Sequence, residues 1–201
     1  MALWAIVPVK PLRRGKSRLA DVMSADERAD LNQYLLERTI RTLSEVEDIE
    51  SILVVSRDTE ALAIARDLGA RTVQENGSPD LNIALTRATE VAKSYETRGV
   101  LIIPADLPRL AVEDINQILQ HRDRPPVVVV APDREQKGTN ALFICPAGMI
   151  SYDYGEGSFE KHCEQARKAG AALEIINLPS LALDLDEPDD LELMEADFKL
   201  D

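Results

Sequence analysis

Two groups of side chains in this sequence could do chemistry together. The first is cationic: Lys10, Arg13, Arg14, Lys16 and Arg18 fall within nine residues that contain no acid, in a chain whose formal net charge is -13. The second is acidic and placed where strands are expected to end: Asp106 in IPADLP, and the pair Asp184 and Asp186 in LALDLDEP. A dense cationic patch in an acidic chain concentrates anions, and a polyphosphate matches its charge best. Mg²⁺ takes one or two carboxylates and completes its shell with phosphate oxygens and water. Cations that hold phosphate and acids that hold Mg²⁺ add up to phosphate chemistry. Each part alone has a plainer account. The basic loop reads as a solvated face, Asp106 as a turn residue before Leu107-Pro108, and Asp186 as a helix cap before Glu187-Pro188. Taken together they favour a metal-assisted site.

The elements that must position these groups alternate. The apolar run Leu3–Val9 is of strand length and leads straight into the basic loop, and open α/β sheets bind ligands at the carboxyl ends of their strands. Ser24 with Glu27 forms a capping-box signature, and Leu35, Leu36, Thr39, Ile40, Leu43 and Val46 recur at helical spacing. Ser51–Ser56 reads as a buried strand. Asp58 would cap a helix with Leu62, Ala65 and Leu68 on its face and Gly69 at its stop, ahead of a third strand at Arg71–Gln74. After a turn-rich loop at 75–80, Leu81, Ala84, Leu85, Ala88, Val91, Ala92 and Tyr95 mark another helix.

The apolar run 100–103 reads as a central strand that leaves Asp106 on the ligand side. A helix bearing Val112, Ile115, Ile118 and Leu119, a strand at 127–130, a charged loop at 132–139 and a strand at 141–144 follow. A helix at 159–169 and a strand near 173–176 lead to 183–185, and Pro188 opens a short helix. The alternation predicts an α/β fold: a three-layer, mostly parallel twisted sheet with right-handed crossovers and an antiparallel member among the later strands. One domain over 1–201 accounts for the length.

Composition excludes several classes. At 45% hydrophobic and 29% charged residues the chain can bury a full core. No apolar run approaches the ~20 residues of a membrane span, and the apolar run precedes the basic one, the reverse of a signal peptide. A cytoplasmic location is expected. Cys145 and Cys163 lack CxxC spacing and read as core residues rather than a disulfide or zinc site. The negative field repels nucleic acid and anionic membrane. His121, at the end of an ordinary helix, reads as exposed.

Six blocks in order carry a resemblance that covers nearly the whole chain: VPVKPLRRGKSRLA (7–20), DLNIAL (80–85), IPADLPRL (103–110), PDREQKGTNALF (132–143), GEGSFEKH (155–162) and LDLDEPDDL (183–191). The chain resembles the guanylyltransferases of coenzyme F-420 biosynthesis, the 2-phospho-L-lactate and phosphoenolpyruvate enzymes. The resemblance implies a Rossmann-like nucleotidyltransferase fold of the glycosyltransferase-A type. It also implies use of GTP and Mg²⁺ to guanylylate a small phosphorylated three-carbon acid. It places the GTP phosphates against Lys10, Lys16 and Arg18, and the metal on Asp106 and Asp186 with Asp184 as helper. The acceptor phosphate falls on Thr139, Gly155 and Ser158, where a helix N-terminus after a glycine-rich turn would offer N–H donors. Asn82 stands as a base contact, and His162 is left open.

The chain departs from the family at Asp80, where glycine is common, at Glu156, where proline is common, and at Glu187, where threonine is common. A carboxylate at position 80 can accept hydrogen bonds from guanine N1 and N2. The expected reaction is in-line attack of the acceptor phosphate on the α-phosphorus of GTP, with no general base. Phosphoenolpyruvate is the preferred acceptor. A homodimer and hand-off of the product to a downstream transferase are further expectations. Two rivals stand beside this reading: a sibling nucleotidyltransferase using CTP or serving a molybdenum-type cofactor, and a non-catalytic nucleotide-binding module. The sibling usually begins with a glycine-rich loop, which VPVKPL replaces here.

Overall fold

Period-two alternation along strand β1 (Leu3–Val9) sorts its side chains into two cores. Leu3, Ala5 and Val7 pack into one cluster, and Trp4 and Ile6 into the other. The computed structural model describes residues 2–191, and every strand among them belongs to one seven-stranded sheet. The remaining strands are β2 (Ser51–Ser56), β3 (Arg71–Gln74), β4 (Gly99–Ile102), β5 (Val127–Pro132), β6 (Thr139–Cys145) and β7 (Ala172–Ile175). Their order is β3-β2-β1-β4-β6-β5-β7. Strands β1 to β4 run parallel, β6 runs antiparallel to both β4 and β5, and β7 is parallel to β5. The antiparallel member anticipated among the later strands is β6.

Helices cover both faces, which completes the three layers. On one face lie α1 (Ala25–Ser44), α2 (Thr59–Asp67), α4 (Val112–Leu119) and α6 (Pro179–Ala182), through residues such as Leu36, Leu62, Ile115 and Leu181. On the other lie α3 (Leu81–Lys93) and α5 (Ser158–Lys168), through Leu85, Ala88, Cys163 and Ala166. Both cysteines are free and buried, as the spacing predicts. Truncating a fully buried leucine such as Leu36 or Leu85 to alanine would cost about 2–5 kcal/mol.

Helix starts follow local chemistry. Ser24 and Glu27 form a complete capping box on α1, Asp58 Oδ1 accepts the Glu60 N–H of α2, and Asp80 Oδ1 accepts the Ile83 N–H of α3. Gly69 stops α2 with φ +84°. Three readings shift. Segment 183–186 is not a strand, and the four-residue α6 just ahead of it carries no periodic signal long enough to read. His121 is half-buried rather than exposed, with Nδ1 3.6 Å from Glu174 of β7. Thr139, read as loop, is the first residue of β6. Residues 188–191 are helical from Pro188 onward; the rest of the tail lies outside the described residues.

Candidate active site

At the carboxyl end of the parallel strands, Lys10, Lys16, Asp106, Thr139, Asp184 and Asp186 line one cleft of about 380 Å³. The basic loop is held rigidly at its rim. Leu12 is a buried anchor whose N–H donates to Asp58 Oδ2 at 2.8 Å, and Asn32 Nδ2 donates to the Leu12 carbonyl at 2.7 Å. A Cβ on Gly15 would meet Asn32 Nδ2 at 2.8 Å, so this closely apposed position favours glycine. Lys16 follows in the left-handed region, φ +54°, at a cost of about 1–2 kcal/mol for a residue with a Cβ. That backbone accompanies a buried lysine whose Nζ donates to the Leu185 carbonyl.

Leu185 lies between the two aspartates, and its own N–H donates to the Asp106 carbonyl at 3.0 Å. The loop after β1, the turn after β4 and the 184–186 segment are therefore stitched together at one point. Asp190, itself buried, accepts the N–H groups of Asp186 and Glu187 at 3.1 and 2.8 Å and fixes the far side of that segment.

Electrostatically the floor of the cleft is crowded with acid. Burial pushes the Asp106 carboxyl up, with Lys16 pulling it down and Asp186 adding to the rise. Burial, then Asp106, pushes Asp184 up to about 6. Burial pulls the Lys16 ammonium down, while Asp106 and Asp186 push it back. Asp106 Oδ1 is covered and has no hydrogen-bond partner among the described residues. A buried carboxylate oxygen without a donor, beside two further carboxylates, is what a divalent cation relieves. No set of three His, Cys, Asp or Glu side chains among the described residues gathers tightly enough to hold a metal alone. The donor set fits an ion that shares its shell with phosphate oxygens.

The other end of the cleft is walled by Arg57, Glu75, Pro79, Asp80 and Leu81, which sequence reasoning left without a role except for Asp80. Arg57 follows β2, and its Nη1 is buried without a partner. Its position just past a buried strand, on the same side as Lys10 and Asp106, was the signal that could have found it. Across the cleft, a register shift between β5 and β6 pairs Pro132 with Thr139 and Ala131 with Ala141. This irregularity lets the consecutive residues Thr139 and Asn140 both face the cleft. Asn140 Nδ2 donates to the Leu181 carbonyl at 2.8 Å and ties α6 to the same wall.

Four residues carried over by resemblance stand elsewhere. Arg18 is exposed, pairs with Glu187 at 3.1 Å, and opens on a neighbouring groove for which Asp184 and Asp186 form the shared wall. Asn82 does not line the cleft. Its Oδ1 accepts the Tyr154 N–H at 2.7 Å and its Nδ2 donates to the Tyr154 carbonyl at 3.3 Å, so both ends of the amide are used. Gly155 is exposed outside the cleft, and Ser158 is buried behind Thr139, its Oγ 3.4 Å from Thr139 Oγ1. The expected free N–H groups at the start of α5 are partly used: Ser158 donates to Gly155 and Phe159 to the Lys137 carbonyl, both at 3.1 Å. His162 is fully buried, with Nδ1 3.0 Å from Thr139 Oγ1 and Nε2 accepting the Asp153 N–H at 3.1 Å.

Comparison with known proteins shows the family and the fold. The family model described as "Guanylyl transferase CofC like" matches residues 3–196. A phosphoenolpyruvate guanylyltransferase of Rubrobacter xylanophilus is 37% identical over 98% of this chain and 95% of its own. A 2-phospho-L-lactate guanylyltransferase of Methanothermobacter thermautotrophicus is 32% identical over 95% of this chain and 83% of its own. Among solved structures, a nucleotidyl transferase from Methanothermobacter superposes with a TM-score of 0.70 at 14% identity, covering 100% of this chain and 99% of that one, a likeness of fold. A cleft that sets lysines against aspartates on a nucleotidyltransferase sheet, matched by near full-length similarity, leaves one conclusion: the chain belongs to the CofC-like guanylyl transferase family.

Proposed function

We propose that the protein transfers the guanylyl group of GTP to the phosphate of a three-carbon acid, phosphoenolpyruvate before 2-phospho-L-lactate, and releases pyrophosphate. This reaction is the guanylylation step of coenzyme F-420 biosynthesis. The observation that carries it is the facing of Lys10 and Lys16 against Asp106, Asp184 and Asp186 across one cleft.

In this reading an ionised phosphate oxygen of the acid attacks the α-phosphorus of GTP. The bond from that phosphorus to the β-phosphate bridging oxygen breaks in line, and no proton has to move. Lys10 and Lys16 balance the charge of the departing pyrophosphate. Asp106 and Asp186, with Asp184 as helper, would hold Mg²⁺, which would supply charge neutralisation between the two anions. The fixed loop brings two like-charged reactants together, which is the larger part of such a catalyst's work. Arg57 and Glu75 at the far end suit the base: a guanidinium can donate to guanine O6 and N7, and a carboxylate can accept from N1 and N2.

Pyrophosphate release tests the proposal directly. Protein and Mg²⁺ mixed with each nucleoside triphosphate and each of phosphoenolpyruvate, 2-phospho-L-lactate and 3-phosphoglycerate should release it with GTP and phosphoenolpyruvate. Release with CTP instead would sink the guanylyl assignment, and release with no pair would leave a binding module.

A further inference from the structure

The buried histidine of α5 does not itself line the cleft, yet it holds a residue that does. Around His162 the hydrogen bonds run in one direction. A backbone N–H can only donate, so the Asp153 N–H, 3.1 Å from Nε2, requires that nitrogen to carry its lone pair. The ring is neutral, because burial pulls its pKa down to about 4. A neutral ring with an unprotonated Nε2 carries its proton on Nδ1, and Nδ1 lies 3.0 Å from Thr139 Oγ1. Thr139 Oγ1 is therefore an acceptor from His162, and it also receives the Ser158 hydroxyl at 3.4 Å.

His162 engages one lone pair of the Thr139 oxygen, the Ser158 hydroxyl approaches the other at a longer 3.4 Å, and no acceptor among the described residues meets the Thr139 O–H itself. Thr139 lines the cleft, so that proton is left for a ligand. We propose that His162 is a positioning residue: receiving the Asp153 N–H on Nε2, it donates from Nδ1 to Thr139 and turns the Thr139 hydroxyl into a donor aimed at the anionic acid. The inference rests on the proposed function for the identity of that acid. The Ser158 hydroxyl is turned toward the same oxygen. A hydroxyl locked as donor suits a phosphate or carboxylate oxygen and rejects a competing donor such as an ammonium.

Two conservative variants separate the two nitrogens. The amide of asparagine at 162 reaches where Nδ1 stands, and that of glutamine reaches where Nε2 stands. His162→Gln keeps an acceptor for Asp153 and loses the donor to Thr139, so KM for phosphoenolpyruvate should rise about tenfold with KM for GTP within about twofold. His162→Asn restores the donor and should recover most of the acid affinity, even where it lowers Tm. In a Thr139→Val background, His162→Gln should add nothing further to the acid KM. Equal effects of Gln and Asn, or a GTP KM that moves as far as the acid KM, would overturn the proposal.

A readout without turnover guards against variants that fail to fold. In ¹H–¹⁵N spectra of the free wild-type protein, His162 should show a protonated Nδ1 and an unprotonated Nε2, and the opposite tautomer defeats the inference. Wild-type protein that guanylylates no acid would defeat the proposed function instead, whatever the tautomer.

Discussion

The two walls of the cleft are finished to different degrees. On the wall built by β1, β2 and β4, Arg57 Nη1 and Asp106 Oδ1 are covered and unpartnered, Lys16 is held at positive φ, and three carboxylates push against one another. On the wall built by β6 and α5, Thr139, Asn140, Ser158 and His162 all have partners within the protein; the Tyr154 hydroxyl is the exception. The first wall is completed by what binds there. The second is assembled beforehand. Such a division suits a large, highly charged nucleotide with its ion on one side and a small rigid acid on the other, since a preformed pocket loses least when a small ligand binds.

Breaking the unfinished wall should cost the most activity and the least stability. Asp106→Asn should lower turnover by about 10²-fold or more, while the metal-free protein melts no lower than wild type, because a crowded charge has been removed. A variant with near wild-type turnover, measured by pyrophosphate release, would show that Asp106 has no part in catalysis. The finished wall should behave in the opposite sense when its hydrogen bonds are titrated. His162 is neutral in the fold, with its pKa lowered to about 4 from 6.5 by burial, opposed by Asp153 and reinforced by Lys161. Its contribution is complete above pH 6.5 and is lost as pH falls toward 4, up to about 3 kcal/mol. Denaturant unfolding at pH 7.5 and pH 4.5, compared with the same pair for His162→Asn, should show the wild type losing more.

Smaller effects sharpen the contrast. Arg57→Ala should raise KM for GTP about tenfold and leave KM for the acid within about twofold, since a base contact is worth about 1–3 kcal/mol. An equal effect on both substrates would mean the two walls are not separate subsites. Asp184→Asn should raise Tm of the metal-free protein at pH 7.5 by about 2–4 °C, for about 1 kcal/mol after allowance for partial exposure. The sign follows from a carboxyl whose folded pKa, about 6, lies above its ordinary 3.8. The folded state favours the protonated form, the penalty grows as pH rises through 6, and the gain should vanish below pH 4.

Much of this molecule is written locally. Strands such as 127–130 are continuous apolar runs, helix starts carry Ser24, Asp58 and Asp80 as caps, and Asp106 betrays itself by standing just past a fully buried strand. What local reading missed depends on long-range docking. Arg57 drew no reading because nothing near it in sequence says that its Nη1 will be covered without a partner. Asn82 looked available, but a loop 72 residues away takes both halves of its amide. His162 is buried because α5 packs on β5 and β7 with its start turned toward Thr139 of β6, and Tyr154 closes edge-on over the ring, with centroids 5.0 Å apart. Arg18 was grouped with Lys10 and Lys16 by charge and by resemblance, and a short 3-10 turn at Ser17–Leu19 sets it on the outside, against Glu187.

The contact from Lys16 to Leu185 spans 169 residues of chain. Closing a loop of that size costs on the order of 4–5 kcal/mol of chain entropy, whereas β1 meets β2 across α1 and β2 meets β3 across α2. The order of events during folding follows from that asymmetry: the parallel half can consolidate first, and the strap bearing Asp184 and Asp186 arrives last. A chain diluted out of denaturant should regain its helical signal before it regains any hold on nucleotide, so competence is the final property this protein acquires.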